Sequence, residues 1–442
     1  MQHDPTTLKD LSLLGASQSV FQLLDHCVTS KGRHTLRQFI LQPPASFEEL
    51  TQVQATIRFI AKEKLELPST ISNGTLVMLE KFFESADHVP QWPSGIQLLL
   101  NKYFQKAFNR NEYTFTQFSI SHLADFIKGC TNLTSILKGE PALPLVLKEA
   151  LTSIQQELDA SRLTAALLQV TPDTSFTEMA TLSYEARRDL KSSIHRLIQW
   201  FGKLDAWYSI AKAANIQNWK FPTILPSSPI QFKAVGLFHP LLKAPKPYPV
   251  SFQSAQNLLV LTGANMSGKT TFMRALGIAA FLAHIGAAVP VIEMEISFLK
   301  GIITNMHVED NIQLGESLFM AEVQRIKHTT YKVISPEPHL ILMDELFKGT
   351  NVHDAFECTK AVLEGLLLHP HHILVLSTHL YEVAQQFQHE PAIRFAYFET
   401  DLSVSGNYRF TYELKQGISN DRIGKQILEK EGVIKLLKGI HD

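Results

Sequence analysis

The chain is organised around Leu258-Leu-Val-Leu-Thr-Gly-Ala-Asn-Met-Ser-Gly-Lys-Thr-Thr271, which runs on into the helix-compatible stretch starting at Phe272. It reads as a buried strand, a glycine-bounded loop and a helix. Gly263 to Thr270 fits G-x-x-x-x-G-K-[ST], a pattern in which each fixed position has a task in holding a nucleotide triphosphate. The two glycines let backbone N–H groups close around phosphate oxygens. Lys269 reaches the β- and γ-phosphates, and the Thr270 hydroxyl is placed to ligate Mg²⁺. The remaining chain is therefore read as serving a nucleotide site.

A second stretch completes such a site. Leu340-Ile-Leu-Met-Asp344-Glu345 is a buried-type strand that delivers two adjacent carboxylates at its end. Asp344 is placed for the Mg²⁺ shell, and Glu345 is placed to orient and deprotonate a water attacking the γ-phosphate. A third strand, His372 to Ser377, ends in Thr378-His379. A histidine at the C-terminal end of a parallel strand lies on the sheet edge where ligands bind, so His379 is a candidate for contacting the γ-phosphate or the water.

Charge constrains how such a protein meets nucleic acid. There are 22 Lys and Arg against 21 Asp and Glu up to Lys220, and 19 against 21 beyond it. With no overall positive field, any nucleic-acid contact must run through local patches. Cys27, Cys130 and Cys358 are widely separated and show no zinc spacing, which suits a reducing cytoplasm. No signal pattern opens the chain, and the apolar stretch Ala275 to Ile292 reads as a buried helix behind the loop, not as a membrane span.

The segments before Lys220 read as helices. Apolar spacing runs from Leu8 to Pro44 with a break at Thr29-Ser-Lys-Gly32, and several more helices are expected from Ser46 to Leu168. Leu190, Ile194, Leu197, Phe201, Leu204, Tyr208 and Ala211 predict one long helix with a narrow apolar seam, with Trp200 and Trp207 off it. Three prolines within Phe221 to Pro229 suggest a linker. Beyond it, strands at 258–262, 340–343, 373–377, 395–398 and 409–414 alternate with helices, which implies a mostly parallel α/β sheet with antiparallel strands near the C-terminus.

Read in order, four stretches resemble the motifs of the MutS-family ATPases, relatives of the ABC ATPases that act in DNA mismatch repair: Gly263 to Arg274, Leu314 to Glu322, Leu342 to Asn351 and Ser377 to Leu380. Leu23 to Pro43 is similar to the start of that family's core domain, and Leu204 to Ala214 to its returning lever helix, whereas 45–180 carries no family signature. The resemblance implies an ABC-type P-loop ATPase domain (225–442) preceded by an all-α core and lever domain (1–224), with ATP and Mg²⁺ as cofactors.

By that resemblance, Gly263, Ala264, Asn265, Met266, Ser267, Gly268, Lys269, Thr270 and Thr271 would hold the phosphates, and Thr270 and Asp344 the Mg²⁺. Glu345 would activate the water, with His379 as the switch histidine. Ser317 matches a serine that contacts ATP bound by a partner subunit, which implies a homodimer with composite sites. Gly349 to Asn351 would lie at the subunit interface, His239 near the base, and Tyr248 against the adenine. Gly417 to Gly424 resembles a late segment that helps build the dimer.

The chain also departs from the family. Glu316 and Leu318 stand where MutS proteins more often carry Arg and Thr. The family-like core begins near residue 10, so the mismatch-reading and connector domains are expected to be missing, and little room remains for a DNA clamp. The expectation is an ATP-hydrolysing, structure-selective DNA-binding protein of the mismatch repair or recombination type that lacks those two domains and does not read a mismatch by wedging a base step. The alternative is an ATP-driven dimeric switch for a protein partner or branched nucleic acid. A small-molecule kinase is disfavoured because the Asp344–Glu345 pair and His379 suit attack by water.

Overall fold

Apolar spacing at steps of three and four carries residues 5–217 into helices, and every element described there is one. The computed structural model describes residues 1–15, 17–84, 110–139, 142–306, 317–402, 408–419, 428 and 433–437. The helices of this part are α1 (Pro5–Asp10), α2 (Val20–Leu24), α3 (Ser30–Leu41), α4 (Phe47–Glu63), α5 (Asn73–Glu84) and α6 (Arg110–Thr134). They continue with α7 (Ile136–Gly139), α8 (Leu145–Asp159), α9 (Leu163–Leu168), α10 (Phe176–Asp189) and α11 (Lys191–Gln217). The chain divides into two compact units, one of Met1–Leu23, Gln42–Thr51 and Gln217–Asp442, the other of Leu24–Leu41 and Gln52–Ile216.

In the second unit α11 is the spine. Leu190, Ile194, Leu197, Phe201, Leu204 and Ala211 are buried on the predicted seam, and Tyr208 is half-buried. The seam is not narrow throughout. Ala206, Trp207, Ile210, Ala213 and Ala214 are covered as well, because α11 is enclosed on more than one side in its C-terminal half. Trp207, off the predicted seam, stacks on Phe39 of α3 with ring centroids 6.3 Å apart.

The predicted break at Thr29 to Gly32 is a helix cap. Asp205 of α11, fully buried, accepts hydrogen bonds from the backbone N–H of Val28 and of Thr29, each at 2.9 Å, and from the Thr29 hydroxyl at 2.6 Å. Those donors precede α3, whose N-terminus is capped by Thr29, its hydroxyl accepting from the Gly32 N–H at 3.0 Å, and the Asp205 carboxylate fixes that cap in place. Only glycine fits at position 32, since a Cβ there would stand 2.1 Å from Asp205 Oδ2.

The first unit holds two sheets. The six-stranded one has the order β10-β9-β4-β8-β7-β6, from β4 (Leu258–Thr262), β6 (Gly301–Asn305), β7 (His339–Asp344), β8 (Ile373–Ser377), β9 (Ile393–Leu402) and β10 (Tyr408–Gln416). All neighbours are parallel except β9 and β10. This matches the expected mostly parallel sheet with an antiparallel C-terminal pair. Its central strands are buried along their whole length, as the uninterrupted apolar runs predict.

A four-stranded sheet, order β1-β5-β2-β3, was not anticipated. It consists of β1 (Thr223–Leu225), β2 (Gln231–Leu237), β3 (Tyr248–Gln253) and β5 (Glu293–Ser297). Residues 221–229, read as a linker, contribute β1, which pairs in parallel with β5. A three-residue strand leaves no periodicity to read, and β3, although its burial alternates regularly, carries Pro249, a residue that argues against a strand.

The helices of this unit are α12 (Lys269–His284), α13 (Leu318–Val333), α14 (Val352–Leu367), α15 (Tyr381–Gln386) and α16 (Val433–Leu437). Helix α12 is buried on nearly every side from Phe272 to His284, which accounts for its unbroken apolar sequence. No helix among the described residues is long and apolar enough to cross a membrane. The outer edge of β6 is covered by the start of the chain. Gln2 bridges Gly301 in parallel, and the Asp10 carboxylate accepts from the Thr304 hydroxyl at 2.6 Å and from the Met306 N–H at 3.1 Å.

Candidate active site

The strand β4, the loop 263–268 and α12 form the unit expected from the sequence. Gly263 and Gly268 adopt φ of 119° and 117°, conformations that glycine takes without cost, and Met266 at φ 67° turns the loop between them. Gly268 is the N-cap of α12, so the loop lies over a helix N-terminus with its unpaired N–H groups. Lys269 is almost fully buried and donates to the carbonyls of Gly263 at 2.8 Å and Ala264 at 3.0 Å. Burial pulls its ammonium below the ordinary range, against the opposing influence of Glu345 and Asp344, while Lys348 adds to the lowering.

The two motifs meet at one contact. The Thr270 hydroxyl, in the first turn of α12, donates to Asp344 Oδ2 at 2.6 Å from the end of β7. In the sheet order β8 separates β4 from β7, so this contact spans a strand and fixes the loop relative to the carboxylates. Asp344 Oδ1 and Ser267 Oγ are buried without a protein partner. Leaving such atoms unpaired costs about 1–3 kcal/mol each, so both suit a site that takes up a further ligand.

Glu345 stands apart from this tight cluster. Its carboxylate lies 3.2 Å from Lys348 Nζ, 3.9 Å from Lys269 Nζ and 4.0 Å from His379 Nδ1. The His379 side chain is 54% exposed at the end of β8. Lys348 was not singled out in the sequence, although it lies inside the Leu342 to Asn351 motif.

A cavity of about 630 Å³ opens over the loop, with Asn265, Met266, Gly268, Lys269, Thr270 and Thr271 on one wall. Asp344 and Glu345 form another, and Tyr248 reaches its edge. Tyr248 itself is buried, edge-on to Phe272 and Phe398, and its hydroxyl donates to the Tyr412 carbonyl. His239 does not line the cavity; its Nδ1 accepts from the Leu241 N–H at 3.3 Å, and burial, with Arg274 nearby, pushes its pKa down to about 4.

Ser317 is exposed and caps α13, accepting from the Met320 N–H at 3.4 Å, away from this cavity. Asn351 caps α14 through the Asp354 N–H at 3.0 Å. Glu316 and the segment 420–424 lie outside the described residues.

Other lining groups escaped the sequence reading. Lys243 and Lys246 add positive charge at the rim, and Tyr412, 44% exposed at φ 56°, overhangs Gly268 from β10. The pairing of β9 with β10 shifts register between Phe410 and Leu414, and that irregularity turns Tyr412 toward the loop.

The ordered strand, loop and paired carboxylates coincide with a match to known proteins. The family model for MutS domain V matches residues 259–437. Over residues 259–437 the chain therefore resembles the MutS family. A curated relative, the DNA mismatch repair protein MutS of Petrotoga mobilis, is 28% identical over 246 residues, which cover 54% of this chain and 29% of that protein. The chain thus spans about a third of the length of this MutS relative. The matched region contains every carboxylate and loop residue of the site described above.

Proposed function

We propose that residues 225–442 form the body of an ABC-type P-loop ATPase domain, to whose compact unit Met1–Leu23 and Gln42–Thr51 also belong, that the helices of 24–41 and 52–216 are the core and lever part of the expected 1–224 domain, and that the chain hydrolyses ATP as a DNA-binding homodimer. The observation that carries this reading is the 2.6 Å contact between Thr270 and Asp344 over a lysine-anchored glycine loop. It brings the two metal-side groups together from separate motifs. Mg²⁺, held by Thr270 and Asp344, would neutralise charge on the phosphates. The buried, partnerless Asp344 Oδ1 and Ser267 Oγ fit a divalent cation and a phosphate oxygen respectively.

The chain's own groups then divide the work. Amides from Gly263 to Thr271 and the N-terminus of α12 bind and orient the phosphates. Lys269 leaves the carbonyls of Gly263 and Ala264 for the anion, which restores the charge that burial disfavours. Glu345 takes the proton of the attacking water, and His379 orients that water from the neighbouring strand. Tyr412, with Tyr248 behind it, offers an aromatic wall for the base. Ser317 completes the site of a second copy, and the cytoplasm is the compartment.

The relative's name supports DNA as the ligand. ATP turnover measured with homoduplex, mismatched, branched and single-stranded DNA at two salt concentrations tests the reading. Stimulation by branched DNA that falls steeply with salt is the expected result. Turnover indifferent to every DNA would remove DNA from the proposal, and a preference of tenfold or more for a mismatched over a matched duplex would overturn selection by DNA structure alone.

A further inference from the structure

The loop after β7 leaves the sheet on two left-handed residues that are not glycine, Glu345 at φ 53° and Phe347 at φ 61°. A buried aromatic residue rarely adopts that conformation, and it persists only where its surroundings impose it. Here the surroundings are the first two turns of α13. Glu322, 7% exposed, accepts the Lys348 N–H on Oε1 at 3.1 Å and the Gly349 N–H on Oε2 at 3.2 Å. The Phe319 ring lies 5.9 Å from that of Phe347. Gly349 passes so close that a Cβ there would stand 2.6 Å from the Phe319 nitrogen.

Both ends of this arrangement are anchored. The Glu345 N–H donates to the Ser377 carbonyl of β8 at 2.9 Å, and the Lys348 side chain returns to the Glu345 carboxylate. Helix α13 is tied to the end of β6 by Arg325, which donates to Asn305 Oδ1 at 2.7 Å and to the Thr304 carbonyl at 2.6 Å. The position of α13 therefore decides where Lys348 and Glu345 sit, and one buried carboxylate makes the connection.

We infer that Glu322 is a positioning residue for hydrolysis: by holding the Lys348 and Gly349 amides from the start of α13, it sets the loop that carries Glu345. The inference rests on the proposed role of Glu345 as the base. Glu322 touches no reacting atom in this account, and its loss should lower the rate of the chemical step without loosening the nucleotide. Glu322→Gln keeps the shape but turns an NH₂ group toward one of the two amides, donor against donor. Gly349→Ala displaces the same loop by steric contact, with no change of charge.

The test compares the full chain with its Glu345→Gln, Glu322→Gln and Gly349→Ala forms in kcat, nucleotide Kd and Tm. Both loop variants should lose about tenfold in kcat, since small misplacements of a catalytic group are costly, with Kd within twofold and Tm within a few degrees of the parent. A Glu322→Gln kcat within twofold of the parent, beside an inactive Glu345→Gln form, overturns the positioning role and leaves the proposed function standing. Equal losses in kcat and affinity also overturn it, because they assign Glu322 to binding or to the fold. If Glu322→Gln does not fold, Gly349→Ala decides: unchanged kcat overturns the inference, and a tenfold loss at unchanged Kd supports it. Undiminished turnover in Glu345→Gln removes the parent reading, and the inference falls with it.

Discussion

Thr270 and Asp344 meet at 2.6 Å across the width of β8, whereas Glu345 stands 3.9 Å from Lys269 and 4.0 Å from a His379 whose side chain is half in solvent. The first cluster joins a contiguous loop and helix start to the end of β7, locked by the Thr270 hydroxyl and the buried Lys269 bonds. The second draws on a left-handed loop and an open strand end. On the proposed reading, the binding geometry is present in the resting fold, while the hydrolytic geometry still needs to tighten, as catalytic contacts commonly do when the reactive complex forms. In such a site holding a nucleotide and cleaving it are separable properties.

The sharpest way to break that separation is Glu345→Gln. It keeps volume and hydrogen bonding but removes the base, so turnover should fall roughly a hundredfold or more with nucleotide affinity nearly unchanged. Single-turnover hydrolysis and equilibrium binding, measured side by side, check both halves. A parallel loss of affinity would mean that the two clusters are one.

Lys269→Ala probes the other cluster. It removes a buried cation from the phosphate cradle, and affinity should drop by roughly a hundredfold, within the 2–5 kcal/mol seen when one partner of a buried charge pair is truncated. Titration with a fluorescent ATP analogue reads this directly. Unchanged affinity would place the phosphates elsewhere.

A smaller effect is expected at Tyr412. If its ring carries the base, Tyr412→Ala should weaken ATP binding about tenfold, in the range of base stacking on aromatic side chains, and leave inorganic triphosphate binding unaltered. Equal effects on both ligands would assign Tyr412 to the loop's support at Gly268 instead.

Acid acts on the scaffold and not on either cluster. His284 accepts the Leu299 N–H and pairs with the Ala280 carbonyl, while His372 accepts the His339 N–H and pairs with the Val333 carbonyl, so both rings are held neutral. Burial pushes each down to about 4. The unfolded chain then binds more protons than the folded one below pH 6.5. Stability should be complete above that value and decline as pH falls toward 4, by up to about 1.4 kcal/mol per pH unit for each ring. Urea midpoints at pH 7, 6 and 5 test this. Loss of nucleotide binding ahead of unfolding would show that the clusters themselves, and not the scaffold, respond to acid.

What could be read from sequence follows the same division. The loop, Lys269, Thr270 and Asp344 were legible because their chemistry sits in contiguous residues at the end of uninterrupted apolar strands. Tyr412 was not, since it reaches the loop only through a register shift in β10, whose strand pattern gives no sign of the displacement. Lys348 lay inside a recognised motif but matters through a side chain that folds back on Glu345. The four-stranded sheet stayed hidden for a different reason: β1 is three residues long, and β3 carries Pro249 on the exposed side of a regular alternation. In the helical unit the long α11 was plain from its spacing, but the burial of Asp205 was not, because only the fold brings it to the Thr29 amide.

The cover that Gln2 lays over β6 has a consequence for solubility. Gly301–Asn305 is buried along its length, apolar at Ile302 and Ile303, and would be an edge strand without that cover. Bare edges of this kind template the pairing of one chain with the next. Besides supporting Thr304 and Met306, the first ten residues therefore act as a guard against aggregation: a chain shortened past Asp10 would present a ready site for intermolecular strand addition before any loss of the nucleotide site itself.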